Sequence, residues 1–195
     1  MTTRTLVLSA LFTALLCALA IVPPIPMPLV PVPLTLQTLV VMLAGLVIGP
    51  RAAGLSVLLY VALAAIGFPV LPGARGGLAV LLGPTGGFLL GMIPGAMVTG
   101  WLAKASLFGG TRAPSAIQTN DQKNGRAWVA IARNTLAALV GGVAVVYLVG
   151  VPWLSIVTGM SLVKAINVIV VFLPGDLIKA VVAAFLAQRV RRFLV

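Results

Sequence analysis

Between Thr5 and Pro50 this chain carries no charged residue, and three more charge-free runs follow at Ala52–Ala74, Gly76–Ala103 and Asn134–Val163. A membrane-spanning helix needs ~20 mostly apolar residues, so the runs are long enough to cross a bilayer. The rest of the composition agrees. The chain is 61% hydrophobic and 8% charged, with a mean hydropathy of +1.21, and too little polar surface remains to cover a soluble domain. The expectation is an all-α, polytopic membrane protein forming one membrane domain over 1–195. Six transmembrane helices are expected at about 5–22, 34–48, 52–68, 85–103, 128–149 and 174–193.

Proline and glycine mark the breaks. Residues 23–33 hold six prolines, which rules out a helix interior and predicts an extended, irregular loop that is nevertheless apolar. Such a loop should fold back onto protein, membrane or ligand. Gly49-Pro50 stops the second span and Gly67, Pro69 and Pro72 the third. A Gly-rich stretch covers Gly73–Gly87, and Lys104–Arg126 is the one polar segment, expected to be a loop. Gly150, Pro152 and Gly159 interrupt the sequence after the fifth span, so Trp153–Leu173 is expected to hold a short helix at the membrane surface.

The net charge of +11 does not signal nucleic-acid binding. Its basic residues sit at the ends of apolar runs rather than among aromatics on one face, which is the topology signal of a membrane protein. Arg4, Arg51, Lys104, Arg112, Lys123, Arg126, Arg189, Arg191 and Arg192 fall on one side, and Arg75 and Lys164 on the other. By the positive-inside rule both termini are expected in the cytoplasm, with the first apolar segment retained as a helix rather than removed as a signal peptide. The proline loop, the Gly73–Gly87 stretch and the head of the sixth span then share the outer face.

The chain has no His and no Glu, and its only cysteine is Cys17. That removes most acid–base, metal and triad chemistry, so no catalytic residue, metal site or cofactor is expected. Of the two carboxylates, Asp121 lies in the polar segment and Asp176 at the head of an apolar one, in Pro174-Gly175-Asp176-Leu177-Ile178-Lys179. Lys179 falls on the same helix face. An intramembrane carboxylate–ammonium pair points to function, although two such residues can also do no more than neutralise one another. The carboxylate can accept hydrogen bonds from ligand N–H groups and the ammonium can receive a ligand carboxylate. Gly83-Pro84-Thr85-Gly86-Gly87 lacks phosphate-loop spacing. Thr35, Gln37 and Thr38 lie at the outer end of the second span, where Gln37 caps the helix or pairs with a partner. Ala10, Ala14 and Ala18 recur every four residues, a spacing that admits a second helix closely, from within the fold or from another subunit.

Four blocks together resemble a known family. They are Pro33-Leu34-Thr35-Leu36-Gln37-Thr38-Leu39; Tyr60 leading to Gly67-Phe68-Pro69-Val70; Gly76 through Phe88; and Pro174 through Lys179. In this order they resemble the biotin-specific S component (BioY) family of energy-coupling-factor transporters, over nearly the whole chain except the Lys104–Arg126 segment and the stretch around Trp153. The resemblance implies six helices in a prokaryotic cell (inner) membrane, an outward-facing pocket for one biotin, and a first loop that covers it. It also implies two kinds of partner: a membrane coupling (T) subunit, contacted by the first helix, and two ATPases. It places Asp176 and Lys179 in the binding site and Ala10, Ala14 and Ala18 on the docking helix. Gln37, Thr35, Gly83, Thr85 and Tyr60, drawn from the same blocks, are the further candidate binding residues. The competing reading is a stand-alone ion-coupled transporter with Asp176 as proton carrier. Against it, no inverted repeat with paired broken helices is visible, and a carboxylate beside a lysine should stay ionised.

Overall fold

The computed structural model describes residues 3–26, 32–108 and 120–194. They form helices α1 (Thr3–Ala18), α2 (Gln37–Ile48), α3 (Pro50–Ile66), α4 (Leu78–Leu82), α5 (Gly86–Phe108), α6 (Asn120–Leu139), α7 (Val146–Thr158), α8 (Leu162–Val170) and α9 (Leu173–Leu194). No named strand occurs among the described residues, only isolated bridges pairing Ile25 with Leu34 and Leu71 with Arg75. A π-turn, Val140–Val145, joins α6 to α7 without a break.

By length and composition, three helical segments can cross a membrane: Thr3–Ile21, Gly86–Ala105 and Ala127–Thr158. The α8–α9 pair qualifies as a fourth, bent by 53°. The shorter apolar helices α2 and α3 complete six apolar rods. At 12 residues, α2 is only ~18 Å long, well short of a ~30 Å hydrocarbon core. Irregular backbone leads into it. Non-helical backbone is tolerated there where it lines a cavity rather than lipid, and Val32, Pro33 and Thr35 do line one.

Three sequence expectations change. The fifth span does not end near Val149: α7 runs through Gly150 and Pro152 to Thr158 and stops where Gly159 adopts φ 70°. In an apolar surrounding a broken helix leaves carbonyls unmet, so one proline is absorbed rather than obeyed. Only α8 then remains as the short separate helix. The Gly73–Gly87 stretch contains a single helical turn, α4. The polar segment is shorter than expected, since α5 continues to Phe108 and α6 begins at Asn120. Its residues 109–119 and the side chain of Asp121 lie outside the described residues.

Helix α5 is central, packing on α2, α3, α6 and α7. Its close approaches need glycine. A Cβ on Gly100 would come 2.5 Å from Pro50 N and 2.7 Å from the Gly49 carbonyl carbon, both backbone atoms that cannot swing aside. Gly100→Ala is therefore expected to destabilise the fold by ~1–3 kcal/mol through overpacking, lowering the melting temperature in detergent. Gly125→Ala, which meets nothing within 4 Å inside α6, should not lower the melt and can raise it slightly, since alanine favours a helix interior over glycine. Equal melts for the two variants would deny that this approach is tight. Helix α1 is joined to α3 by Ser9 Oγ donating to Ala52 O (3.2 Å) and Thr13 Oγ1 to Ser56 O (3.0 Å). Its opposite face, with Ala10, Ala14 and Ala18, is exposed.

Candidate functional site

Helix α9 opens as its sequence dictates. Pro174 occupies the first turn, where its missing N–H is no loss, and Asp176 follows at the positive end of the helix dipole. Asp176, Lys179, Ala180, Ala183, Ala184 and Ala187 form one buried stripe, while Leu177 and Ile178 are exposed. The alanines keep the rest of this face slim, so the two charges enter the bundle rather than lipid.

They are buried together, Asp176 at 3% and Lys179 at 8% exposure. Lys179 Nζ donates to Asp176 Oδ1 at 2.9 Å and to Thr38 Oγ1 at 3.2 Å. Thr38 in turn donates to the same oxygen at 3.3 Å. The other oxygen, Oδ2, accepts from the Tyr147 hydroxyl of α7. Three helices thus converge on one carboxylate. A carboxylate has about four acceptor positions and an ammonium three donors; three and two respectively are used. One acceptor position, on Asp176 Oδ2, and one donor, on Lys179 Nζ, remain, and both residues line a cavity.

Two cavities adjoin here. One, with ≈ 460 Å³ of empty space, is lined by Asp176, Lys179, Thr38, Tyr147 and Phe172. The other, with ≈ 390 Å³, is lined by Gln37, Thr85, Leu71, Pro72 and Arg75. Val32, Pro33, Thr35, Phe88 and Met92 line both. The end of the apolar loop before α2, Val32 and Pro33, thus forms one side of the site, next to the Ile25–Leu34 bridge. The proline loop, the Gly73–Gly87 stretch and the head of α9 meet at one end of the bundle. At the opposite end the Arg191 guanidinium donates to Leu46 O at the C-terminal end of α2.

The residues singled out from sequence take different places. Asp176, Lys179 and Thr35 line the larger cavity; Thr35, Gln37 and Thr85 line the smaller. Tyr60 is fully buried and lines neither. Its hydroxyl accepts from Gln37 Nε2 and donates to Val70 O at 3.2 Å, so it supports Gln37 from behind. Gly83 also lines neither; its carbonyl accepts from Trp153 Nε1 at 2.9 Å. Sequence reasoning missed Tyr147, since a tyrosine in an apolar helix gives no sign of facing a carboxylate 29 residues on. Arg75, exposed, lines the smaller cavity with its Nε donating to Pro72 O at 3.1 Å; Lys164, on α8, lines neither. Among the described residues no buried side-chain nitrogen or oxygen lacks a partner, and no cluster of metal-ligating side chains occurs.

This arrangement can hold a small molecule with polar groups at both ends and an apolar middle. Known proteins share the whole chain. The BioY family model matches residues 1–195. The biotin transporter BioY of Rhizobium etli is 45% identical over 190 residues, covering 97% of this chain and 94% of that protein. The biotin transporter BioY of Rhodobacter capsulatus is 39% identical, again covering 97% and 94%. A crystal structure of the S-component for biotin from an ECF-type ABC transporter superposes with a TM-score of 0.83 at 32% identity, covering 98% of this chain and 95% of that one. Matching that fold and those sequences from end to end, this all-helical membrane protein belongs to the BioY family.

Proposed function

We propose that this chain is the substrate-binding membrane subunit of an ATP-driven ECF-type importer and captures biotin at the outer face of a prokaryotic cell membrane. The observation that carries this reading is the Asp176–Lys179–Thr38–Tyr147 network on a cavity wall, with Arg75 on the adjoining cavity. Biotin has a ureido ring with N–H donors and a carbonyl at one end, a carboxylate at the other, and apolar atoms between. The free acceptor and donor of the buried pair suit either polar end, and the second cation suits the carboxylate. The relatives named as biotin transporters support the same ligand.

ATP hydrolysis belongs to partners, since no phosphate-binding motif occurs in the sequence. The partners fitting an ECF-type S component are a membrane coupling subunit and two ATPases, with the exposed Ala10, Ala14 and Ala18 as the docking face. Both termini lie in the cytoplasm, with Arg191 at that end.

Isothermal titration of the purified chain with biotin should give a saturable heat, and biotin should raise its melting temperature. The absence of both would sink the ligand reading. Uptake in cells should require co-expressed ATPase and coupling subunits. Undiminished uptake without any such partner would favour a stand-alone, ion-coupled transporter instead.

A further inference from the structure

The Gly83-Pro84-Thr85-Gly86-Gly87 block stands out in the sequence, yet only Thr85 of it lines a cavity. The next residue, Phe88, lines both. Buried at 9% exposure, its ring stands between the Asp176–Lys179 cavity and the Arg75 cavity.

That ring has nowhere to withdraw. Behind it is Gly150 of α7, where a Cβ would come 2.6 Å from Phe88 Cγ. Beside it is the Tyr147 ring, edge-on with centroids 6.1 Å apart at 87°. The fit is reciprocal. Trp153 of α7 rests on Gly87 of α5, where a Cβ would come 2.5 Å from the indole Cγ, and its N–H is held by Gly83 O. Each helix thus sets an aromatic ring on the other's glycine, and the glycine block fixes the start of α5 so that Phe88 faces the cavities. A close-packed seat of this kind transmits the displacement of even one methyl group.

We propose that Phe88 is the specificity-determining wall of the site, admitting ligands that are narrow between their polar ends, and that Gly150 and Tyr147 are the positioning residues that hold it. The proposal deepens the biotin reading and rests on it for the choice of probe. Tyr147 therefore has two duties: its hydroxyl orients the Asp176 carboxylate and its ring edge braces the wall.

The test uses the full chain in lipid nanodiscs, with two probes: biotin, and a biotin carrying one added methyl on its aliphatic side chain. The wild-type chain should bind the methylated probe at least ~10-fold more weakly than biotin, the scale of one extra methylene against a fitted pocket. Phe88→Ala should reduce that ratio to within ~2-fold, and Phe88→Leu to an intermediate value. Gly150→Ala should push the ring forward, weakening biotin by ~10-fold or more and the methylated probe further. Adding Phe88→Leu to Gly150→Ala should bring biotin binding within ~3-fold of Phe88→Leu alone, as coupled neighbours do. An unchanged ratio in Phe88→Ala, or wild-type biotin binding by Gly150→Ala, overturns the proposal. Failure of the wild-type chain to bind biotin denies the ligand instead. The seat is then judged without ligand: Gly150→Ala should lower the melting temperature and added Phe88→Leu should restore part of it. Two unshifted melts overturn the seat.

Discussion

Replacing Asp176 with Asn, or Lys179 with Met, is expected to weaken biotin binding by ~1.5–3 kcal/mol, roughly ten- to a hundred-fold. Replacing both should not restore it. The two residues are buried on a cavity wall and each keeps one unused hydrogen-bonding position. Were they only neutralising each other, the double variant would bind nearly as well as wild type, because a buried ion pair is often exchangeable for fitted neutral groups. Asp176→Asn keeps the shape but replaces one acceptor oxygen with a donor that then faces Lys179 and Thr38 or Tyr147. A biotin amide refines the assignment. If Lys179 receives the ligand carboxylate, Lys179→Met should harm biotin more than the amide. Equal losses for both ligands would make Lys179 an internal partner of Asp176 and move the carboxylate to Arg75, the cation on the adjoining cavity.

The second large effect concerns transport without binding. Ala14→Leu, or the same change at Ala10 or Ala18, should leave biotin affinity within about two-fold of wild type while cutting uptake at least ~10-fold, because close helix approach needs small residues. All three alanines are exposed on α1, facing away from the contacts that Ser9 and Thr13 make with α3. Each is exposed among the described residues, so the protein itself should tolerate a leucine there. Parallel loss of binding and uptake would show that the face matters to the fold and not to a partner.

What could be read from sequence depended on how local the cause was. Asp176 was legible because a carboxylate in an apolar run is expensive anywhere, and Lys179 because helical spacing places it on the same face. The apolar proline loop was expected to fold back onto something, and of its described residues Val32 and Pro33 line both cavities. Tyr147 was not legible, since its partner lies on another helix. The passage of α7 through Gly150 and Pro152 was missed for the opposite reason. Both residues are local helix breakers, but tertiary packing wants Gly150 smooth beneath Phe88, and lipid leaves an opened backbone no water to bond. Gly83 and Tyr60 were expected among the binding residues, yet neither lines a cavity; they bond Trp153 and Gln37 instead, a relation that spacing alone does not encode.

Helix α1 ends in a 3-10 turn, Leu19–Ile21, and only four residues later the chain reaches Ile25, which bridges to Leu34 on the wall of the larger cavity. From Ala18 to Ile25 the backbone can stretch to no more than ~25 Å. A coupling subunit gripping the alanine face would therefore hold one end of a short tether whose other end is paired with Leu34 on the cavity wall. Helix α1, from which the tether starts, is held to α3 through Ser9 and Thr13. Tilting α1 in the bilayer would draw on that wall directly, so a helix gripped from outside would also tug at the edge of the site.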